Sequence, residues 1–178
     1  VRALDLGTSC NSLALNLAAH AQQIIATDLN PHALELARGN ALLNDTPLDL
    51  RQGDLFAPVA GERFDLIVSN PPFVVAPRGP GPRLLYRDSG LAGDGLCRRL
   101  VAEVPEHLSE GGLAQILLNW EVREGESAQE ALSAWFKGST CDAWVLCGRV
   151  VSAAEYAALW IAQSERDDQA LREGLHAD

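Results

Sequence analysis

Short runs that are apolar almost from end to end, each followed closely by Asp, Asn or Gly, recur along this chain and alternate with stretches of helical periodicity. A strand with one wet face would alternate apolar and polar residues, so these runs fit strands covered on both sides. They fall at residues 2–6, 23–27, 64–69 and 113–119, with a short strand of mixed character fitting 48–52 and two late candidates near 143–146 and 157–162. Helical spacing fills the gaps, over 13–19, 31–42, 96–108 and 128–136. Asn30 is placed as an N-cap ahead of Pro31, with Ala33, Leu34, Leu36, Ala37, Ala41 and Leu42 carrying that helix's buried face. The expected fold is therefore α/β in three layers: a mostly parallel, seven-stranded sheet with helices on both faces.

Composition narrows the function classes. With 178 residues, 47% of them hydrophobic, the chain is long enough to bury a substantial single core. The formal net charge of −10 opposes unaided grip on nucleic acid, which depends on Lys and Arg neutralising phosphates. The four cysteines, Cys10, Cys97, Cys141 and Cys147, are scattered without a C-x-x-C pair; they read as small core residues, and no metal is expected. No apolar run reaches the roughly 20 residues that span a bilayer, and no leader pattern opens the chain, so a cytoplasmic location without a membrane partner is expected. The chain starts with Val1 inside a strand and contains no Met. That suggests a piece of a longer protein, with a recognition module lying N-terminal to it. The expected division is a catalytic domain over 1–165 and a polar tail over 166–178.

In parallel sheets of this kind ligands bind beyond the carboxyl ends of the strands. Asp5 and Gly7, Asp28, Asp54, Asn70 and Asn119 all fall at or just after such ends. Gly7 opens a tight turn in which a ligand lies against bare backbone. A dinucleotide fingerprint would need glycines where Ser9 and Ser12 stand, so nicotinamide binding is disfavoured. Asp28 has two acceptor oxygens suited to a ribose diol, or else caps the helix at Pro31. Asp54 suits an exocyclic amine with Leu55 or Phe56 packed on the ring, or is a turn residue before a core phenylalanine.

The sharpest signal is Asn70-Pro71-Pro72-Phe73 after the fourth strand. The Asn70 side-chain carbonyl and the Pro71 backbone carbonyl can each accept one N–H of a planar nitrogen, fixing where its lone pair points. The prolines restrain their own φ and push Asn70 into extended backbone, and Phe73 offers a face for stacking. The bland alternative is a turn that ends a strand. The segment from 74 to 95 is long and irregular, as binding loops often are. Arg78, Arg83, Arg87, Arg98 and Arg99 gather around it, to meet either acceptor groups or the neighbouring Asp88 and Asp94. Trp120 reads as core before it reads as a wall of the site. His20, His32, His107 and His176 have no evident catalytic partner.

Asp5-x-Gly7, Asp28, Asp54 and Asn70-Pro71-Pro72-Phe73, in this order and spacing, resemble motifs I to IV of class I S-adenosylmethionine-dependent methyltransferases. The resemblance spans roughly residues 1–165. It is similar in particular to release-factor glutamine N5-methyltransferases and ribosomal RNA guanine-N2 methyltransferases. The run from Gly90 to Leu96, with Gly111-Gly112 further on, is closer to the glutamine branch. The resemblance implies a Rossmann-like fold, S-adenosylmethionine as cofactor, and cofactor contacts at Asp5, Gly7, Thr8, Asp28, Leu29, Asp54, Leu55 and Asn70. It also implies catalytic roles for Asn70, Pro71 and Phe73, and a macromolecular methyl acceptor, a protein such as a release factor or an RNA. The alternatives are a guanine-N2 or adenine-N6 methyltransferase, or a scaffold that keeps the fold without the cofactor. That last reading rests on a departure: Ser9 and Asn11 stand where the family's loop usually has further glycines.

Overall fold

A computed structural model describes residues 1–75, 91 and 93–162. The first compact unit, Val1–Asp142, contains β1 (Arg2–Leu6), α1 (Ser12–Leu17), β2 (Gln23–Asp28), α2 (Pro31–Leu43) and β3 (Asp49–Gln52). A 3₁₀ turn (Ala57–Val59), β4 (Phe64–Ser69), α3 (Gly95–His107), β5 (Leu108–Ile116) and α4 (Ala128–Ser133) follow. The strands form one sheet in the order β3-β2-β1-β4-β5, and every neighbouring pair is parallel.

Strand alternation explains the two cores. In β1, Ala3 joins Ala14, Leu17, Ile24, Ala26 and Val68 on the face under α1. Leu4 and Leu6 join Ile25, Phe64, Ile67, Leu100, Val104 and Leu108 on the face under α3. Both faces are apolar because both are covered, as a parallel sheet requires. Asp5 has the parity of Ala3, so its carboxyl is carried into the α1 side of the sandwich.

Helix α2 is capped as expected: Asn30 accepts a hydrogen bond from the His32 amide at 3.0 Å, with Pro31 in the first turn. Its buried stripe is narrower than the sequence suggested. Ala33, Leu34, Ala37 and Ala41 are buried, whereas Leu36 and Leu42 are 51% and 74% exposed, because their positions turn to the opposite side of the helix.

The sheet has five strands among the described residues, not seven. The second unit, from Ala143 onward, has no strand at 143–146, where Trp144 and Leu146 are almost fully exposed. Residues 153–162 are helical rather than extended. The reason is local: the Ser152 hydroxyl accepts from the Glu155 amide at 3.2 Å while the Glu155 carboxylate accepts from the Ser152 amide at 3.0 Å. That reciprocal capping starts a helix through Ala153, Ala154, Ala157 and Ala158, all strong helix formers. Strand β5 also starts earlier than expected, directly from α3. Most of the 74–95 segment, with Arg78, Arg83, Arg87 and Asp88, and the 166–178 tail with His176 lie outside the described residues.

Candidate functional site

The strand order reverses direction between β1 and β4, and that switch point lies between the turn at Gly7 and the segment at Asn70. The strand ends are tied together there. The Gly7 and Thr8 amides both donate to the Thr27 carbonyl at 2.9 Å, the Ser69 hydroxyl donates to the Leu6 carbonyl at 2.7 Å, and the Gly53 amide donates to the Asp28 carbonyl at 3.0 Å.

Asp5 is fully buried. Its Oδ2 accepts from the Thr8 hydroxyl at 2.6 Å and from the Ala14 amide at 3.0 Å, while Oδ1 has no hydrogen-bond partner. Burial pushes its pKa up to about 6; the bonds from Thr8 and Ala14 pull it down, and the charge of Asp28 adds a smaller upward push. Thr8 is itself buried: its hydroxyl serves Asp5, so the structure makes it a support of the turn.

The turn itself is left-handed three times over: Gly7 at φ +72°, Ser9 at +52° and Asn11 at +62°. A Cβ at Gly7 would meet nothing within 4 Å, so open space lies against this backbone. Ser9 and Asn11 hold the conformation that glycine adopts without strain. Asn11 tolerates it better than most residues, and its buried side chain donates to the Ala37 carbonyl at 2.9 Å. The Asn40 side chain clasps the same turn through the Cys10 carbonyl at 2.9 Å.

Asp28 sits half-buried at the end of β2. One carboxylate oxygen accepts from the Ser9 amide at 2.9 Å, the other from the Asn30 amide at 2.8 Å. The helix-capping duty considered for Asp28 belongs to Asn30. Leu29 beside it is 55% exposed. Beyond β3, Asp54 is exposed and accepts from Arg99 Nη1 at 2.6 Å. Leu55 takes a left-handed φ of +43° and packs partly against the core that contains Phe56. Gly53 is required here, since a Cβ would lie 2.5 Å from Pro58 Cγ.

Asn70 emerges exposed from the end of β4, whereas Pro71 is buried and Phe73 half-buried. The structure thus seats the prolines and leaves the amide accessible. Asn119 follows the neighbouring strand by three residues.

Three contacts brace these elements; those of Arg99 with Asp54 and of Ser69 with β1 lay beyond the sequence reading, whereas Arg98 with Asp94 is a pairing it had offered. The Arg99–Asp54 pair joins residues 45 positions apart; only the Arg99–Glu103 spacing hinted at an engaged guanidinium. Arg98 is held in a two-pronged pair by the nearly buried Asp94, at 2.6 and 2.9 Å, and lies 4.8 Å from the Trp135 ring centre. The Glu121 amide also donates to Asp94 at 3.1 Å. The third is the Ser69 hydroxyl that locks β4 to β1. Among the described residues no group of His, Cys, Asp or Glu could hold a metal, and no helix is long and apolar enough to cross a membrane.

A parallel sheet in this order, with a glycine turn and an Asn-Pro-Pro segment flanking its switch point, defines a Rossmann-like domain of the class I methyltransferase type. Comparison with solved structures agrees on the fold. The T. thermophilus 16S rRNA N2 methyltransferase, solved with AdoMet and guanosine, superposes with a TM-score of 0.54 over 78% of this chain and 32% of that one, at 20% identity. The family model described as "Methyltransferase small domain" matches residues 1–81. A putative protein N5-glutamine methyltransferase of Methanocaldococcus jannaschii is 31% identical over 140 residues, covering 75% of this chain and 70% of that protein. The release factor glutamine methyltransferase of Deinococcus radiodurans is 43% identical over 120 residues, 62% of this chain and 43% of the relative. The chain belongs to this family of protein glutamine methyltransferases, and it spans less than half the length of that bacterial relative.

Proposed function

We propose that this domain transfers a methyl group from S-adenosylmethionine to a planar nitrogen, a glutamine side-chain amide of a protein such as a release factor. The observation that carries the reading is the exposed Asn70 amide, next to seated prolines and across the switch point from an open glycine turn.

The residues at the strand ends fit the cofactor. The unpartnered buried oxygen of Asp5 suits a cationic amino group, which would complete its hydrogen bonding. The free space over Gly7 admits a chain lying on the backbone. Asp28 keeps lone pairs for a ribose diol after its two amide bonds, with Leu29 exposed alongside. Asp54 suits the adenine amine, with Leu55 next to the ring. When bound, the cofactor supplies an electrophilic methyl group on a sulfonium centre.

An amide nitrogen is a poor nucleophile because its lone pair is delocalised. Asn70 Oδ1 and the Pro71 carbonyl accept the two N–H bonds of the acceptor, holding the nitrogen in one orientation while its charge develops. Phe73 packs on the planar group. As the N–CH3 bond would form and the S–CH3 bond break with its electron pair left on sulfur, fixed dipoles meet the developing positive charge, and the excess N–H proton then leaves to water, so no strong base is needed.

A protein acceptor is favoured over RNA by the charge arrangement. The net charge is −10, and the two described arginines of α3 are already engaged, Arg98 by Asp94 and Arg99 by Asp54 and Glu103. The test is calorimetric titration with S-adenosylmethionine and S-adenosylhomocysteine, then transfer of a labelled methyl group offered in parallel to a release factor, a ribosomal protein and ribosomal RNA. Label on a glutamine supports the reading; label on RNA alone, or no binding of either cofactor form by folded protein, overturns it.

A further inference from the structure

Helix α3 grips the loop that follows β3 from one face. Arg99, Glu103 and His107 are spaced i, i+4 and i+8, so their side chains line a single stripe. Arg99 donates to Asp54 Oδ2 at 2.6 Å and to Glu103 Oε1 at 2.7 Å. The nearly buried His107 ring stacks on Phe56 with centres 4.4 Å apart and planes 5° from parallel, and its Nδ1 donates to the Glu62 carbonyl at 3.0 Å. The loop between these holds is locally strained, with Leu55 left-handed, and its first residue is bonded to the Asp28 carbonyl.

Ion pairing as such is a weak motive for this arrangement. Arg99 and Asp54 are 42% and 50% exposed, and a solvated pair of that kind adds little stability. What the contact does is geometric. A lone aspartate on an exposed strained loop would sample several rotamers. Arg99, itself held by Glu103, takes Oδ2 and leaves Oδ1 to accept another donor.

We infer that Arg99 is a positioning residue acting through Asp54, setting the free carboxylate oxygen to accept the exocyclic amine of the cofactor's adenine and so to select an amino-purine over an oxo-purine. The inference rests on the cofactor reading above and deepens it. An oxo group at the same place carries no N–H and would set its own lone pairs against Oδ1. Discrimination of that type is large only where the acceptor is fixed.

The test measures binding of S-adenosylhomocysteine and S-inosylhomocysteine to the wild-type chain, Arg99→Ala and Arg99→Lys, with thermal unfolding of each. The wild type should prefer the adenosyl ligand by at least about tenfold, the loss expected when a hydrogen bond to a charged group goes unmade. In Arg99→Ala that preference should collapse to about twofold, through weaker binding of the adenosyl ligand alone, and Arg99→Lys should restore part of it. Adenosyl binding unchanged in Arg99→Ala, or both ligands weakened by the same factor, overturns the inference. A wild type that binds neither ligand sinks the cofactor reading itself, which is a separate outcome read before any variant is made.

Discussion

Replacing Asp5 by Asn should stabilise the domain at neutral pH while weakening the cofactor site. Asp5 is fully buried, and two hydrogen bonds satisfy only one of its oxygens. Its carboxyl is pushed from 3.8 up to about 6, by burial first. The folded state therefore holds the Asp5 proton more tightly than the unfolded chain does. Stability from this group is fully present below about pH 4 and is lost as pH rises through about 6; the whole loss is roughly 3 kcal/mol. Asparagine cannot ionise, and its oxygen can still accept from Thr8 and Ala14. Its NH2 takes the place of the orphaned oxygen and returns part of the gain as an unmade bond, leaving a net advantage of about 1–2 kcal/mol at pH 8. Urea unfolding followed by circular dichroism between about pH 4 and pH 8, read as the difference between the two proteins, cancels most other carboxylates. A difference that stays flat across this range would refute the reasoning, since the orphaned charge would then cost nothing.

The same carboxyl predicts linkage on the ligand side: a cationic amino group beside Asp5 favours its ionised form, so S-adenosylhomocysteine binding near pH 6 should release a proton, seen as a buffer-dependent binding enthalpy. Asn70→Ala should lower kcat by about 100-fold or more through loss of a fixed dipole, with S-adenosylhomocysteine affinity nearly unchanged in calorimetry. Ser9→Gly removes a left-handed non-glycine residue and should raise the urea midpoint, with a gain of up to about 1 kcal/mol. Gly53→Ala forces a Cβ onto Pro58 at 2.5 Å and should cost about 1–3 kcal/mol in the same assay, with adenosyl binding weakened as Asp54 shifts.

Much of the fold was legible because its causes are short-range and periodic. Runs such as Ile24-Ile25-Ala26 in β2 and Leu66-Ile67-Val68 in β4 carry apolar residues on both parities, as a doubly covered strand requires, and Asn30-Pro31 is a complete helix start. The late segment misled because its apolar run at 157–162 contains alanines that serve a helix as well as a strand; the deciding contact, Ser152 with Glu155, is a capping signal that outweighs composition. The candidate site was legible where a residue type is itself a constraint: glycine at a left-handed turn, proline after an exposed amide, carboxylates at strand ends. It was illegible where function depends on pairing across the fold. Nothing in the local sequence ties Arg99 to Asp54, and nothing distinguishes Asp5 as buried from an aspartate in contact with water. Ser9 and Leu55 hold left-handed backbone against their own preferences, with Asn11, which tolerates it better, beside Ser9, and all three lie on the turns that follow β1 and β3. Local rules fail there together because the loops are shaped by what they must present, and the surrounding elements, Thr27 and Asp28 of β2 and Ala37 of α2, supply the hydrogen bonds that hold them in place.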